Sequence, residues 1–193
     1  MDIVKTQSCN HQAVKGNLLI RPATANDAAV ILDFIKELAR YEEAEHQVKA
    51  SLADIERDLA NEAGPSKALM CMRGDEPVGF ALYFFSYSTW LGRQCMYLED
   101  LYVSNQHRGL GAGKALLKHL AELAVDTGCG RLEWSVLDWN TPAIKFYESI
   151  GAKAQPEWVR YRLAGDDLLK LAHDMPADQA KLVAPGAPGH EEG

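Results

Sequence analysis

The stretch Gln106-His107-Arg108-Gly109-Leu110-Gly111-Ala112-Gly113-Lys114 lies between a β-like segment, Met96 to Val103, and an amphipathic helical segment, Ala112 to Val125. Glycines at alternate positions let the backbone approach a ligand and turn sharply into a helix. The first amide N–H groups of a helix have no intrahelical partner and attract anions. Arg108 and Lys114 add positive charge on either side. Such a turn suits a phosphate, although the glycines alone also describe an ordinary strand-to-helix turn.

The spacing separates the phosphate motifs. A P-loop places a glycine five positions before its Gly-Lys pair and a Ser or Thr after it. Here Arg108 and Ala115 occupy those places, so that motif fails twice. The dinucleotide fingerprint G-x-G-x-x-G fails as well, because Lys114 stands where its third glycine belongs. What fits is Arg-x-x-Gly-x-Gly (Arg108, Gly111, Gly113), overlapped by Gln-x-x-Gly-x-Gly (Gln106, Gly109, Gly111). This pattern resembles the diphosphate loop of the GNAT superfamily of N-acetyltransferases, which hold acetyl-coenzyme A.

Composition bounds the rest. The 193 residues suit one globular domain with tails. No apolar run approaches the ~20 residues of a membrane span, and the N-terminus lacks the layout of a signal peptide. The expectation is a cytoplasmic protein. Cys9, Cys71, Cys95 and Cys129 form no C-x-x-C, and the six histidines form no H-x-x-x-H pair. Reduced thiols and no metal are therefore expected. A net charge of −7 argues against nucleic acid as a partner and is compatible with a cationic substrate.

Along the chain, residues 1–16 read as a flexible N-terminal extension, and 175–193 as a disordered tail rich in Ala, Pro, Gly and Glu. Between them, 17–174 form one domain. Asn17 to Arg21 is a strand ended by Pro22. Thr24 and Asp27 have capping-box spacing for a helix that runs to about Ala44 with the stripe Val30, Ile31, Phe34, Ile35 and Leu38. Ser51 and Asp54 start a second helix, Leu52 to Ala60. Ala68 to Met72 and Val78 to Phe85 are strands joined at Gly74-Asp75, followed by the strand Cys95 to Val103. Leu132, Trp134 and Val136 alternate on the next strand. Thr141-Pro142 caps a helix ending at Gly151, Trp158 to Leu163 is a last strand, and Asp166 to His173 a short helix. The order β-α-α-β-β-β-α-β-α-β describes an α/β domain with a central mixed, mostly antiparallel twisted sheet flanked by helices.

From about Leu19 to Ala172 the chain resembles the diamine (spermidine/spermine) acetyltransferases and their thialysine-acetylating relatives within the GNAT fold. The resemblance rests on six separated segments in order. These are Ile20 to Thr24, Lys36 to Glu42, Tyr97 to Val103, Arg108 to Gly113, Trp139 to Ala143 and Phe146 to Glu148. It implies an enzyme that acetylates a small cationic amine, with acetyl-coenzyme A as cosubstrate and a homodimeric assembly. Another amine, such as an amino acid, peptide N-terminus or drug, or a non-catalytic coenzyme sensor, are the alternatives.

Acetyl transfer needs a free amine lone pair, stabilisation of the oxyanion, and a proton for the departing thiolate. The resemblance gives that proton to Tyr147. A phenol near pKa ~10 protonates a developing thiolate of pKa about 8.5 only if held close to it. Ala143 and Ile144 share its helical face, so a core aromatic is the other reading. The resemblance gives the amine to Glu99. Strand alternation sends Glu99 and Asp100 to opposite faces, so one of them at most faces the site. Because ammonium and carboxylate pKa values differ by almost ~6 units, Glu99 binds the cation and relays its proton through water. Tyr41 and Glu42 stand at the family's substrate-binding position, with Glu133, Asp138 and Glu157 as further acids. The loop at Lys153 to Pro156, before Glu157 and Trp158, is shorter than the family's, and Trp158 reads as core. For the coenzyme, the resemblance implies main-chain groups of Leu101, Tyr102 and Val103 along the pantetheine arm. It places Arg108, Gly109, Leu110, Gly111, Ala112, Gly113 and Lys114 around the diphosphate, and Asn140 and Ala143 along the thiol end.

Overall fold

Two strands of the sheet, β3 (Ser66–Arg73) and β4 (Glu76–Ser88), have continuous buried runs rather than alternation: Ala68 to Cys71 and Val78 to Ala81 are all buried. Strands read that way when both faces are covered. The computed structural model describes residues 13–14 and 17–173 and shows the two layers that cover them. The expected extension and tail lie outside these residues, apart from a two-residue strand β1 (Ala13–Val14) that pairs with Leu18 and Leu19. Cys9 also lies outside.

Strand β2 is Leu18–Pro22, and the sheet order is β1-β2-β3-β4-β5-β6, with β5 at Arg93–Val103 and β6 at Leu132–Trp134. Every pairing is antiparallel except β5 with β6, which is parallel. Helix α1 (Ala28–Tyr41) lays Ile31 and Phe34 on Ala68, Met70, Phe80 and Tyr102. The Phe34 ring stacks on Phe80 with centroids 6.0 Å apart. Helix α2 (Leu52–Ala60) packs beside α1. The alternate residues Leu69, Cys71 and Ala81 are also buried. There α3 (Ala112–Asp126) lies against β2 to β5, burying Ala115, Leu116, Leu117 and Leu120.

Capping follows the sequence in two places. Asp27 accepts from the Thr24 amide at 2.8 Å, and Asp54 from the Ser51 amide at 3.0 Å, each closing a capping box. Asp27 also holds Arg21 through two bonds of 2.8 and 2.7 Å, which keeps its carboxyl below the usual carboxylate range. The first helix stops at Tyr41 rather than near Ala44, because Glu43 takes a left-handed conformation (φ 56) that ends helical hydrogen bonding.

The described residues fall into two compact units that divide between Leu137 and Asp138. The second carries α4 (Thr141–Ser149) and α5 (Gly165–His173). Its first helix is capped by Asn140, whose Oδ1 accepts from the Ala143 amide at 3.3 Å, so Thr141 is already helical and not the cap. The expected strand Trp158 to Leu163 is absent. The residues have strand composition, but a strand exists only where a neighbour pairs with its backbone, and none does among the described residues. Likewise β6 ends at Trp134, before Val136. Cys71 and Cys95 are buried free thiols, and burial pushes Cys71 up to about 11. Among the described residues no helix is long and apolar enough to cross a membrane, and no group of three or more His, Cys, Asp or Glu side chains is placed to hold a metal.

Candidate active site

The ladder between β4 and β5 slips by one residue. Leu82 pairs with Asp100 and Tyr83 with Leu98, leaving Glu99 as the extra residue of a β-bulge. The bulge interrupts the alternation on which the opposite-face expectation rested. Glu99 is exposed and Asp100 is half-buried. Burial, together with the charges of Glu99 and Glu42, pushes the Asp100 carboxyl up to about 6. Glu42 is the residue after α1, half-buried, and its own carboxyl is raised by burial. Two neighbouring carboxylates and burial thus disfavour the charge on Asp100, which a cation beside it would relieve. Sequence spacing set Asp100 aside in favour of Glu99, and only the Glu-Asp doublet hinted that the structure would group it with Glu99 and Glu42.

The same strand loses its parallel partner at the bulge. Strand β6 pairs with Met96, Tyr97 and Leu98. Beyond them, Glu99 to Val103 have no strand partner on that edge among the described residues. Their backbone groups on that side can take an extended, amide-bearing ligand as an added strand. Leu101 and Val103 are half-buried there, while the Tyr102 side chain turns to α1 and its hydroxyl donates to Glu37 Oε2 at 2.8 Å.

The glycine loop follows directly. The Ser104 amide donates to the Val78 carbonyl at 3.0 Å, and the buried His107 has its Nδ1 2.7 Å from Ser104 Oγ and its Nε2 3.5 Å from Glu76 Oε2. Gly109 (φ 81) and Gly111 (φ 87) both take the left-handed conformation. A Cβ at either would meet nothing within 4 Å, so it is the backbone angle that calls for glycine. Gly111 is the N-cap of α3 and gives it no side-chain cap. The first amides of the helix, at Ala112, Gly113 and Lys114, are thus left for an anion. The Lys114 and Leu110 side chains are exposed, and Ala112 is buried beneath the turn. Arg108, expected beside the phosphate, is exposed in this loop. Its guanidinium lies over the Tyr41 ring, 4.8 Å from the centroid, and its Nε donates to the Val103 carbonyl at 3.4 Å.

The other acids are placed differently. Glu133 pairs with Arg131 at 2.7 Å in an exposed bridge. Asp138 and Glu157 are exposed, and Trp158, read as core, is 67% exposed. Within the second unit Tyr147 is half-buried on α4, its ring 5.5 Å from that of Phe146. Asn140, expected at the thiol end, has its Oδ1 engaged as the helix cap.

An anion cradle, a free strand edge and a group of carboxylates in sequence along β5 are what a phosphate-tailed, amide-bearing donor and a cationic acceptor require. Comparison with known proteins agrees. Residues 31–152 match the Acetyltransferase (GNAT) family. The thialysine N-epsilon-acetyltransferase of Bos taurus is 39% identical over 166 residues, covering 80% of this chain and 97% of that protein. The spermidine/spermine N(1)-acetyltransferase-like protein 1 of Homo sapiens is 35% identical over 79% of this chain, which spans 23% of that longer protein. Among solved structures, an integron cassette protein from the mobile metagenome of V. cholerae superposes with a TM-score of 0.69 at 33% identity, covering 81% of this chain and 98% of that one. The chain therefore belongs to the acetyltransferase (GNAT) family, in its diamine and thialysine N-acetyltransferase branch, and is an acyltransferase.

Proposed function

We propose that the protein moves the acetyl group of acetyl-coenzyme A to the primary amine of a small cationic acceptor, a polyamine, diamine or thialysine-like amine. The observation that carries this reading is the coincidence, at Glu99, of the β-bulge and the end of the parallel β5–β6 ladder. The free edge for the donor and the carboxylates for the acceptor begin at one residue.

The coenzyme supplies an activated thioester. Amides of Gly109 to Lys114 hold its diphosphate, and backbone groups of Leu101 to Val103 pair with its pantetheine arm. The family resemblance assigns Asn140 and Ala143 to the coenzyme's thiol end. Glu99 and Asp100 bind the acceptor ammonium, with Glu42 and Tyr41 completing a cation site. Glu99 relays one proton to water, which frees the lone pair. The new C–N bond forms as the C–S bond breaks, Tyr147 gives its proton to the departing thiolate, and the second proton lost from nitrogen restores the phenol. Homodimeric assembly belongs to the same reading, supported by the exposure of Val159 (72%) and Tyr161 (92%). So does a cytoplasmic location, which accords with the free thiols.

The test is thiol release from acetyl-coenzyme A across spermidine, putrescine, thialysine and lysine at matched concentration. Release with at least one of them is expected. Tight coenzyme binding by calorimetry with no release across the panel would make the protein a coenzyme sensor.

A further inference from the structure

Among the described residues, three buried side chains are polar or charged: Ser88, Ser104 and His107. The last two stand together at the foot of the glycine loop, and the acetyl-transfer chemistry uses neither. They bracket the short 3-10 turn Asn105–His107 that joins β5 to the loop. The His107 ring is 7% exposed, and both of its nitrogens face a partner. Nδ1 lies 2.7 Å from Ser104 Oγ, inside the turn. Nε2 lies 3.5 Å from Oε2 of Glu76, the first residue of β4. A carboxylate only accepts, so the ring turns its Nε2 proton to Glu76 and leaves Nδ1 to accept from the Ser104 hydroxyl. A buried imidazole without such partners would cost about 1–3 kcal/mol.

The start of β4 is a firm base for this contact. Gly74 takes the left-handed turn (φ 63) that brings Glu76 back beside Arg73. The Val78 carbonyl accepts from the Ser104 amide at 3.0 Å, and a Cβ on Gly79 would lie 2.5 Å from the Tyr102 carbonyl. Backbones approach that closely only at glycine. The crest of the loop is the opposite case. Space is open on the Cβ side of both Gly109 and Gly111, and Gly111 gives α3 no side-chain cap. Glycine leaves a segment the most conformational freedom of any residue. An anion site made of backbone amides binds tightly only when those amides are oriented beforehand. Two residues before Gly109, His107 carries the foot of the loop across to a separate strand.

We propose that His107 is a positioning residue for the coenzyme. Clamped between Ser104 and Glu76, it fixes the foot of the glycine loop on β4, so that the amides of Gly109 to Lys114 meet the diphosphate already aligned. Glu76, on the far side of the ring, is thereby a determinant of coenzyme affinity without touching the coenzyme. Neither residue lies in the six segments that carry the family resemblance. The inference rests on the reading of this loop as the diphosphate site and goes beyond it by naming what holds the loop in place.

The experiment measures coenzyme A binding to the full-length protein by calorimetry, with initial rates of thiol release beside it. The wild type is compared with His107→Phe, His107→Gln and Glu76→Ala. His107→Phe keeps a flat ring and loses both polar contacts. Its Kd is expected to rise about tenfold or more, while kcat at saturating acetyl-coenzyme A stays within about twofold of the wild type. His107→Gln returns an N–H donor near the Nε2 position and is expected to recover most of the lost affinity. Glu76 is 56% exposed, so Glu76→Ala is expected to fold as the wild type does. Its Kd should rise about threefold, the order of one surface ion pair. Glu76→Ala at wild-type affinity, or His107→Gln no better than His107→Phe, makes the ring a filler of its own turn and overturns the inference. A fall in kcat with Kd unchanged in His107→Phe overturns it too. Where His107→Phe fails to fold, Glu76→Ala decides. A wild type that binds coenzyme A and releases no thiol with any amine overturns acetyl transfer and leaves this inference standing. A wild type that binds no coenzyme A overturns both.

Discussion

The Tyr102 hydroxyl donates to Glu37 Oε2 at 2.8 Å, a bond that ties the end of β5 to the last turns of α1. It joins the strand whose edge would hold the donor to the helix whose end would hold the acceptor. Burial and the Glu37 carboxylate push the phenol up to about 12, so the bond persists over the whole working pH range. Tyr102→Phe keeps the ring contact with Phe34 and removes only this bond. The expected result is a loss of about 1 kcal/mol of stability in urea denaturation. A rise in KM for the acceptor should accompany it.

Asp100 predicts a pH signature of opposite sense to that of a salt-bridged acid. Its folded-state pKa of about 6 lies above the unfolded value near 3.9, so the folded chain binds the extra proton. Stability from this group is full below about pH 4 and is lost as pH rises through 6. Asp100→Asn removes that loss. Denaturation at pH 7 should show a gain on the order of 2 kcal/mol, and thiol release at the same pH should fall sharply. A variant that is no more stable at pH 7 than the wild type contradicts the buried-carboxylate account.

Gly111 and Gly113 should respond differently to alanine. At Gly111 the φ of 87 strains any side chain, at about 1–2 kcal/mol. Coenzyme affinity by calorimetry should drop along with stability. At Gly113 the φ is ordinary and a Cβ would meet only Val103 Cγ2 at 3.8 Å. Helix propensity there favours alanine by about 0.8 kcal/mol. A stabilised Gly113→Ala protein with weakened coenzyme binding would report direct approach of the ligand to that backbone.

Tyr147→Phe should lower kcat about 100-fold, the usual order for one acid–base group, with little change in coenzyme affinity. Turnover within twofold of the wild type would return Tyr147 to the role of a helix-face aromatic.

Much of this chain was legible in its letters because the governing forces are local. Capping boxes at Thr24 and Ser51 are set by side chains three residues apart, and both formed. The Gly74 and Gly111 turns need left-handed backbone that glycine alone takes without strain, and both adopt it. The segments Ala68 to Met72 and Val78 to Phe85 read as strands, and β3 and β4 contain them. The loop's glycine spacing and the six ordered segments were enough to name the family.

What the letters left open was every property that depends on a partner brought from a distance. Alternation in Tyr97 to Val103 says nothing of a one-residue slip, since a bulge is decided by how β4 and β5 register across their whole length. That slip exposes Glu99 and half-buries Asp100, whose neighbour in charge is Glu42, far off in sequence. Trp158 to Leu163 has the composition of a strand, yet pairing, not composition, makes one. Ser104 and His107 are three residues apart, yet Glu76 reaches the other side of the ring only because β4 starts beside the end of β5. Local chemistry chose the elements and the family; long-range packing chose which carboxylate is buried and which strand anchors the glycine loop.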